Sequence, residues 1–90
     1  MSRVRKRVRV RGRVQGVFFR AELRARAESL GVAGWGRNAP DGSVEAVLEG
    51  EPDRVASMVD WCRRGPAGAV VESVDVVPEE PAGESGFHVR

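Results

Sequence analysis

The stretch RGRVQGVFFRAELRAR, residues 11–26, changes its hydrophobic period halfway along. Leading into it, Val4, Val8 and Val10 alternate with Arg7, Arg9 and Arg11. That two-residue period reads as a strand with one apolar face over residues 4–11. Beyond it, Phe19, Leu23, Ala27 and Leu30 fall at helical spacing, with Glu22 and Arg26 placed for an i,i+4 ion pair. Gly31 is a natural helix stop, and the glycines at 12 and 16 make the connection a loop. The chain therefore opens strand, glycine loop, helix.

Working outward, residues 34–38 read as a short strand, APDG at 39–42 as a turn, and Val44, Ala46 and Leu48 alternating with Glu45 and Glu49 as a further strand ending at Gly50. Pro52 and Asp53 suit a helix start, and Val55, Met58, Val59 and Cys62 supply that helix's apolar stripe. Arg63 and Arg64 are placed in its last turn, before Gly65-Pro66. The Val-rich residues 69–77 read as a strand, 78–86 as a polar loop, and FHVR as a short final strand that turns His88 away from the core. The order β-α-β-β-α-β implies an α+β fold of the ferredoxin-like, split βαβ kind, with two helices on one face of an antiparallel sheet.

Ninety residues, 31% of them charged, suit one domain spanning 1–90. Cys62 stands alone, which fits a reducing compartment, and neither a signal peptide nor a membrane span is expected, so the expected location is cytoplasmic. The net charge is only +2, yet residues 1–37 hold eleven of the fifteen Lys and Arg and two of the thirteen acids. A basic half points either to an anionic partner or to a solvated strand face.

The junction itself is chemically odd. No Ser, Thr, Asp or Asn caps the helix that starts near Phe19, and Arg20 lies where the helix dipole disfavours a cation. An anion removes both anomalies, because free N–H groups of a glycine loop at a helix start, flanked by a guanidinium, form a phosphate site. The pattern is not a Walker loop, since no Lys-Ser or Lys-Thr pair follows Gly16. One His and one Cys form no metal-ligand spacing, and Cys62 lacks the following loop arginine of a Cys-dependent phosphatase. Catalysis here would rest on positioning and charge stabilisation, acting on a substrate already activated towards water.

These residues resemble the acylphosphatase family. GRVQGVFFR, residues 12–20, resembles its first signature, and GWGRNAPDGSVEAVLEG, residues 34–50, its second; GPAGAVVESV and the ending FHVR are also similar. The resemblance implies hydrolysis of acyl phosphates to a carboxylate and inorganic phosphate without metal or cofactor. It also implies that backbone N–H groups of Gln15, Gly16, Val17, Phe18 and Phe19 wrap the phosphate, that Arg20 binds its oxygens, and that Asn38 holds the attacking water. Gly36 departs from the family pattern, which has a larger residue there, and so raises the question of how firmly Asn38 is placed. Phe19 starts the apolar stripe, whereas Phe18 either lines the site or covers the sheet edge. A monomer acting on a small molecule is expected. An RNA-binding module shares the element order, but SVEAVLE, residues 43–49, carries acids where base-stacking aromatics would stand, so nucleic acid is not an expected partner.

Overall fold

The computed structural model describes residues 2–90. The elements run β1 (Val4–Arg13), α1 (Phe19–Leu30), β2 (Ala33–Asn38), β3 (Val44–Gly50), α2 (Pro52–Cys62), β4 (Val70–Glu79) and β5 (Phe87–Val89). The five strands form one sheet in the order β4-β1-β3-β2-β5. The four long strands pair antiparallel, as the alternating patterns imply. β5 differs: it runs parallel to β2, with Gly34 opposite Phe87 and Gly36 opposite Val89, so the sheet is mixed rather than antiparallel throughout.

Both helices cover the sheet face that presents Val8, Val10, Val44, Ala46 and Leu48, and they close one core with Leu23, Met58, Cys62 and Phe87. Phe19 is the hinge of this packing. Its ring is buried and meets the Trp61 ring of α2 at 5.1 Å in a tilted arrangement, a geometry that adds about 1 kcal/mol to the area it buries. Gly31 ends α1 in the left-handed region, its N–H returning to the Ala27 and Glu28 carbonyls. The ion pair on α1 is Arg24 with Glu28 at 3.3 Å, not Glu22 with Arg26: the Arg26 guanidinium instead covers the buried Trp61 ring, 4.9 Å from its centre, in a cation–π contact. Arg63 caps α2, so both arginines after Cys62 follow the helix rather than fill its last turn.

Two strand glycines have no substitute. A Cβ on Gly34 (φ 138°) would sit 1.8 Å from the Val47 carbonyl oxygen. One on Gly12 (φ 128°) would sit 2.1 Å from the Val70 oxygen, at the bulge where the β1–β4 register shifts.

The lopsided charge of the sequence is settled on the helix-free face. Arg5 stands between Glu49 and Glu79, and Arg9 between Glu45 and Asp75, across the two flanking strands. Arg5 bonds Glu79 at 2.9 Å, Glu84 at 2.9 Å and Glu49 at 3.2 Å; Arg7 bonds Glu45 at 2.8 Å and Glu79 at 2.6 Å; Arg11 bonds Asp41 at 3.2 Å and Asp75 at 3.4 Å. The arginines of this strand face are thus paired with acids within the fold, an outcome that is neither a free surface for an anionic partner nor a simply solvated face. The same ladder fills the face on which a base-stacking platform would lie. No helix among the described residues is long and apolar enough to cross a membrane.

Candidate active site

A cleft of about 500 Å³ opens where the start of α1, the end of β2 and β5 meet. Local sequence explains each wall. Gly34, Gly36 and Asn38 share the helix-side face of β2, opposite Leu48, Ala46 and Val44, so Asn38 emerges at the strand's end next to α1. Asn38 is half-buried and lines the cleft. Arg20 is in the first turn of α1 and lines it from the other side.

The start of α1 is uncapped by any side chain. Its N-cap is Phe18, at φ 61° and ψ 25°, the only residue other than glycine with positive φ among those described. A bulky residue in the left-handed region costs about 1–2 kcal/mol. Gly16, also at positive φ (74°), precedes it, and helical Phe19 follows. A left-handed residue followed by a right-handed one turns successive N–H groups towards one point, forming a concave anion-binding nest. Among the described residues, neither backbone nor side chain accepts a hydrogen bond from the N–H of Gly16, Val17 or Phe18, and the first N–H groups of a helix have no acceptor within it.

Of the residues singled out in the sequence, Gly16, Phe18, Phe19, Arg20 and Asn38 line the cleft; Gln15 and Val17 do not. The Gln15 amide is committed elsewhere, its Nε2 donating to the carbonyls of Ala39 at 2.8 Å and Ser43 at 2.9 Å. Val17 packs against the core. Gly36 has its space taken: a methyl there would lie 3.1 Å from Leu23 Cδ2. The strand beside Asn38 is therefore held by α1 and Phe87 rather than left loose.

Sequence reading missed Arg24, Val89 and Arg90. Arg24 follows Arg20 by one turn and lines the cleft, a placement that the i,i+4 spacing signals. Arg90 is visible only in three dimensions. Its N–H donates to Gly36 O at 2.8 Å, its guanidinium lies 4.3 Å from the Trp35 ring centre, and its carbonyl accepts from Arg20 Nη1 at 2.8 Å.

The lining is chemically sparse. It contains two guanidiniums, one carboxamide and backbone N–H groups, with no Ser, Cys, His, Asp or Glu. Cys62 is buried in the core, where desolvation pushes its thiol up to about 12, and it takes no part. Among the described residues no three His, Cys, Asp or Glu side chains are grouped to hold a metal ion. Such a site can bind a small oxyanion and orient a neutral water. It has no side chain with which to form a covalent intermediate through oxygen or sulfur.

The chain is similar to known proteins along nearly its whole length. The acylphosphatase family model matches residues 6–89. An acylphosphatase of Rubrobacter xylanophilus is 61% identical over 88 residues, covering 96% of this chain and 79% of that one. One from Thermococcus kodakarensis is 53% identical, covering 99% and 98%. The solved acylphosphatase of Coxiella burnetii superposes with a TM-score of 0.94 at 39% identity, over 98% of this chain and 93% of that one. With the fold matched along its whole length and both signature stretches placed around one cleft, the chain belongs to the acylphosphatase family.

Proposed function

We propose that the protein hydrolyses acyl phosphates to a carboxylate and inorganic phosphate, using the cleft at the start of α1. The observation that carries this reading is the left-handed Phe18, which frees the N–H groups of the loop and of the first helical turn beside Arg20 and opposite Asn38. Those N–H groups and the Arg20 guanidinium hold the non-bridging phosphoryl oxygens. Asn38 positions a water by accepting and donating without changing protonation state.

The water oxygen bonds to phosphorus as the bond from phosphorus to the acyl oxygen breaks. The electron pair leaves with the carboxylate, and the proton passes to a phosphate oxygen. An acyl phosphate has a leaving group good enough that the water needs orientation more than deprotonation. Charge on the phosphoryl oxygens meets fixed dipoles and a permanent cation, so little reorganisation accompanies the transition state. The contact of Arg20 with the Arg90 carbonyl occupies one of its five N–H donors and leaves the others for the substrate.

Hydrolysis of benzoyl phosphate in 18O-enriched water, with a chelator present, tests the reading. The label is expected in phosphate. Label in benzoate would mean attack at the carbonyl carbon and would remove the role given to Asn38.

A further inference from the structure

The cleft lining combines polar groups, Arg20, Asn38 and the loop backbone, with apolar side chains, of which Phe18 on the loop and Val89 on β5 are exposed. Phe18 is 81% exposed and Val89 40% exposed. The backbone at position 18 needs a left-handed residue, and glycine meets that need without steric cost, as it does at Gly16. A phenylalanine there adds backbone strain and a solvated aromatic ring, and it is absent from the hydrophobic core. Strain and exposure together at a cleft are the mark of a residue with a partner outside the fold.

We propose that Phe18, with Val89, forms the subsite for the acyl group and selects substrates whose acyl body is aromatic or bulky and apolar. This rests on the reading of Arg20 and the loop N–H groups as the phosphate site. With the three non-bridging oxygens held by the loop and Arg20, the bridging oxygen points away from them, towards the exposed side of the cleft. The acyl group then leaves the cradle between Phe18 and Val89. An aromatic ring gains area and an offset or edge contact with Phe18 there, whereas a methyl group covers little of either residue.

The test is the ratio of kcat/KM for benzoyl phosphate to that for acetyl phosphate, in the wild type and in Phe18→Ala, Phe18→Gly and Phe18→Tyr. The ratio is expected to fall about tenfold in Phe18→Ala, the size typical of a lost apolar contact in a pocket. It should fall equally in Phe18→Gly, which relieves the backbone, and be restored in Phe18→Tyr. Because it is a ratio, it is insensitive to changes in the phosphate loop that affect both substrates alike. An unchanged ratio in Phe18→Ala and Phe18→Gly, whatever the absolute rates, overturns the subsite while leaving acyl phosphate hydrolysis in place. A wild type that turns over neither substrate overturns the functional reading itself.

Discussion

The Gln15 side chain holds the Ser43 carbonyl at 2.9 Å and, with the same Nε2, the Ala39 carbonyl at 2.8 Å. One amide thus ties the loop before α1 to both ends of the turn that follows Asn38. The two proposed halves of the site are fastened to each other, not merely adjacent. Gln15→Leu removes both bonds and should cost about 1–2 kcal/mol, lowering Tm by roughly 5–10 °C in a domain of this size by calorimetry. Gln15→Glu should be worse at neutral pH, because a carboxylate would face two carbonyl acceptors. It should recover part of the loss as the acid protonates.

Gly36 bears on the same placement. A methyl at this position meets Leu23 Cδ2 at 3.1 Å and Phe87 Cζ at 3.8 Å. Gly36→Ala should therefore destabilise by about 1 kcal/mol through overpacking, read from urea denaturation. Leu23→Val in the same chain removes the contacted methyl, so the pair should be clearly non-additive, with Gly36→Ala close to neutral in that background.

Most of the fold was legible from two periods. The alternation of Val8 and Val10 and the spacing of Phe19, Leu23 and Ala27 place β1 and α1 on the same core. β5 was legible as a strand but not in direction, because three residues carry no signal for which edge they join. The role of the Arg-rich strand was left open for a related reason. Arg5 and Glu79 are far apart in sequence and meet only once the register of β1 and β4 is known. In the site, Arg20 and the missing cap were local and visible. The left-handed Phe18 was not, since residue type argues against it, and the Arg90 contact depends on the path of the last strand.

Acid stability should follow Glu49. Its side chain is fully buried. Burial favours the neutral acid, but the Ala82 N–H, the Arg5 guanidinium and the Glu84 and Gly83 N–H groups outweigh it and hold the carboxyl down at about 2, from an ordinary 4.5. A lowered native pKa stabilises the fold above the unfolded value and loses that contribution as pH falls through the native one. Tm should therefore drop progressively between pH 4.5 and about 2. Glu49→Gln leaves Arg5 with less compensation and replaces one of the two oxygens that accept from the 82–84 N–H groups by an NH2, at a cost of about 3 kcal/mol near neutrality. Its Tm should depend less on pH across the same window.

Inorganic phosphate, the product, should bind the cradle and stabilise the native state by mass action, by about 2.7 kcal/mol at a hundredfold excess over Kd. The Tm shift should vanish in Arg20→Ala and persist in Asn38→Ala, because only the first residue is assigned to the phosphate oxygens. An equal shift in all three proteins would place phosphate elsewhere.

Arg20 and Asn38 are assigned to one substrate, approached from two walls of one cleft. Steady-state hydrolysis of benzoyl phosphate with chelator present, by the wild type, Arg20→Ala and Asn38→Ala, tests that assignment most directly. A metal-independent wild type is expected, with kcat/KM lowered about 100- to 1000-fold in each variant. In Asn38→Ala the loss should fall mainly on kcat, with phosphate inhibition retained. Near-normal kinetics in either variant, or wild-type activity abolished by the chelator and restored by added metal, would contradict it.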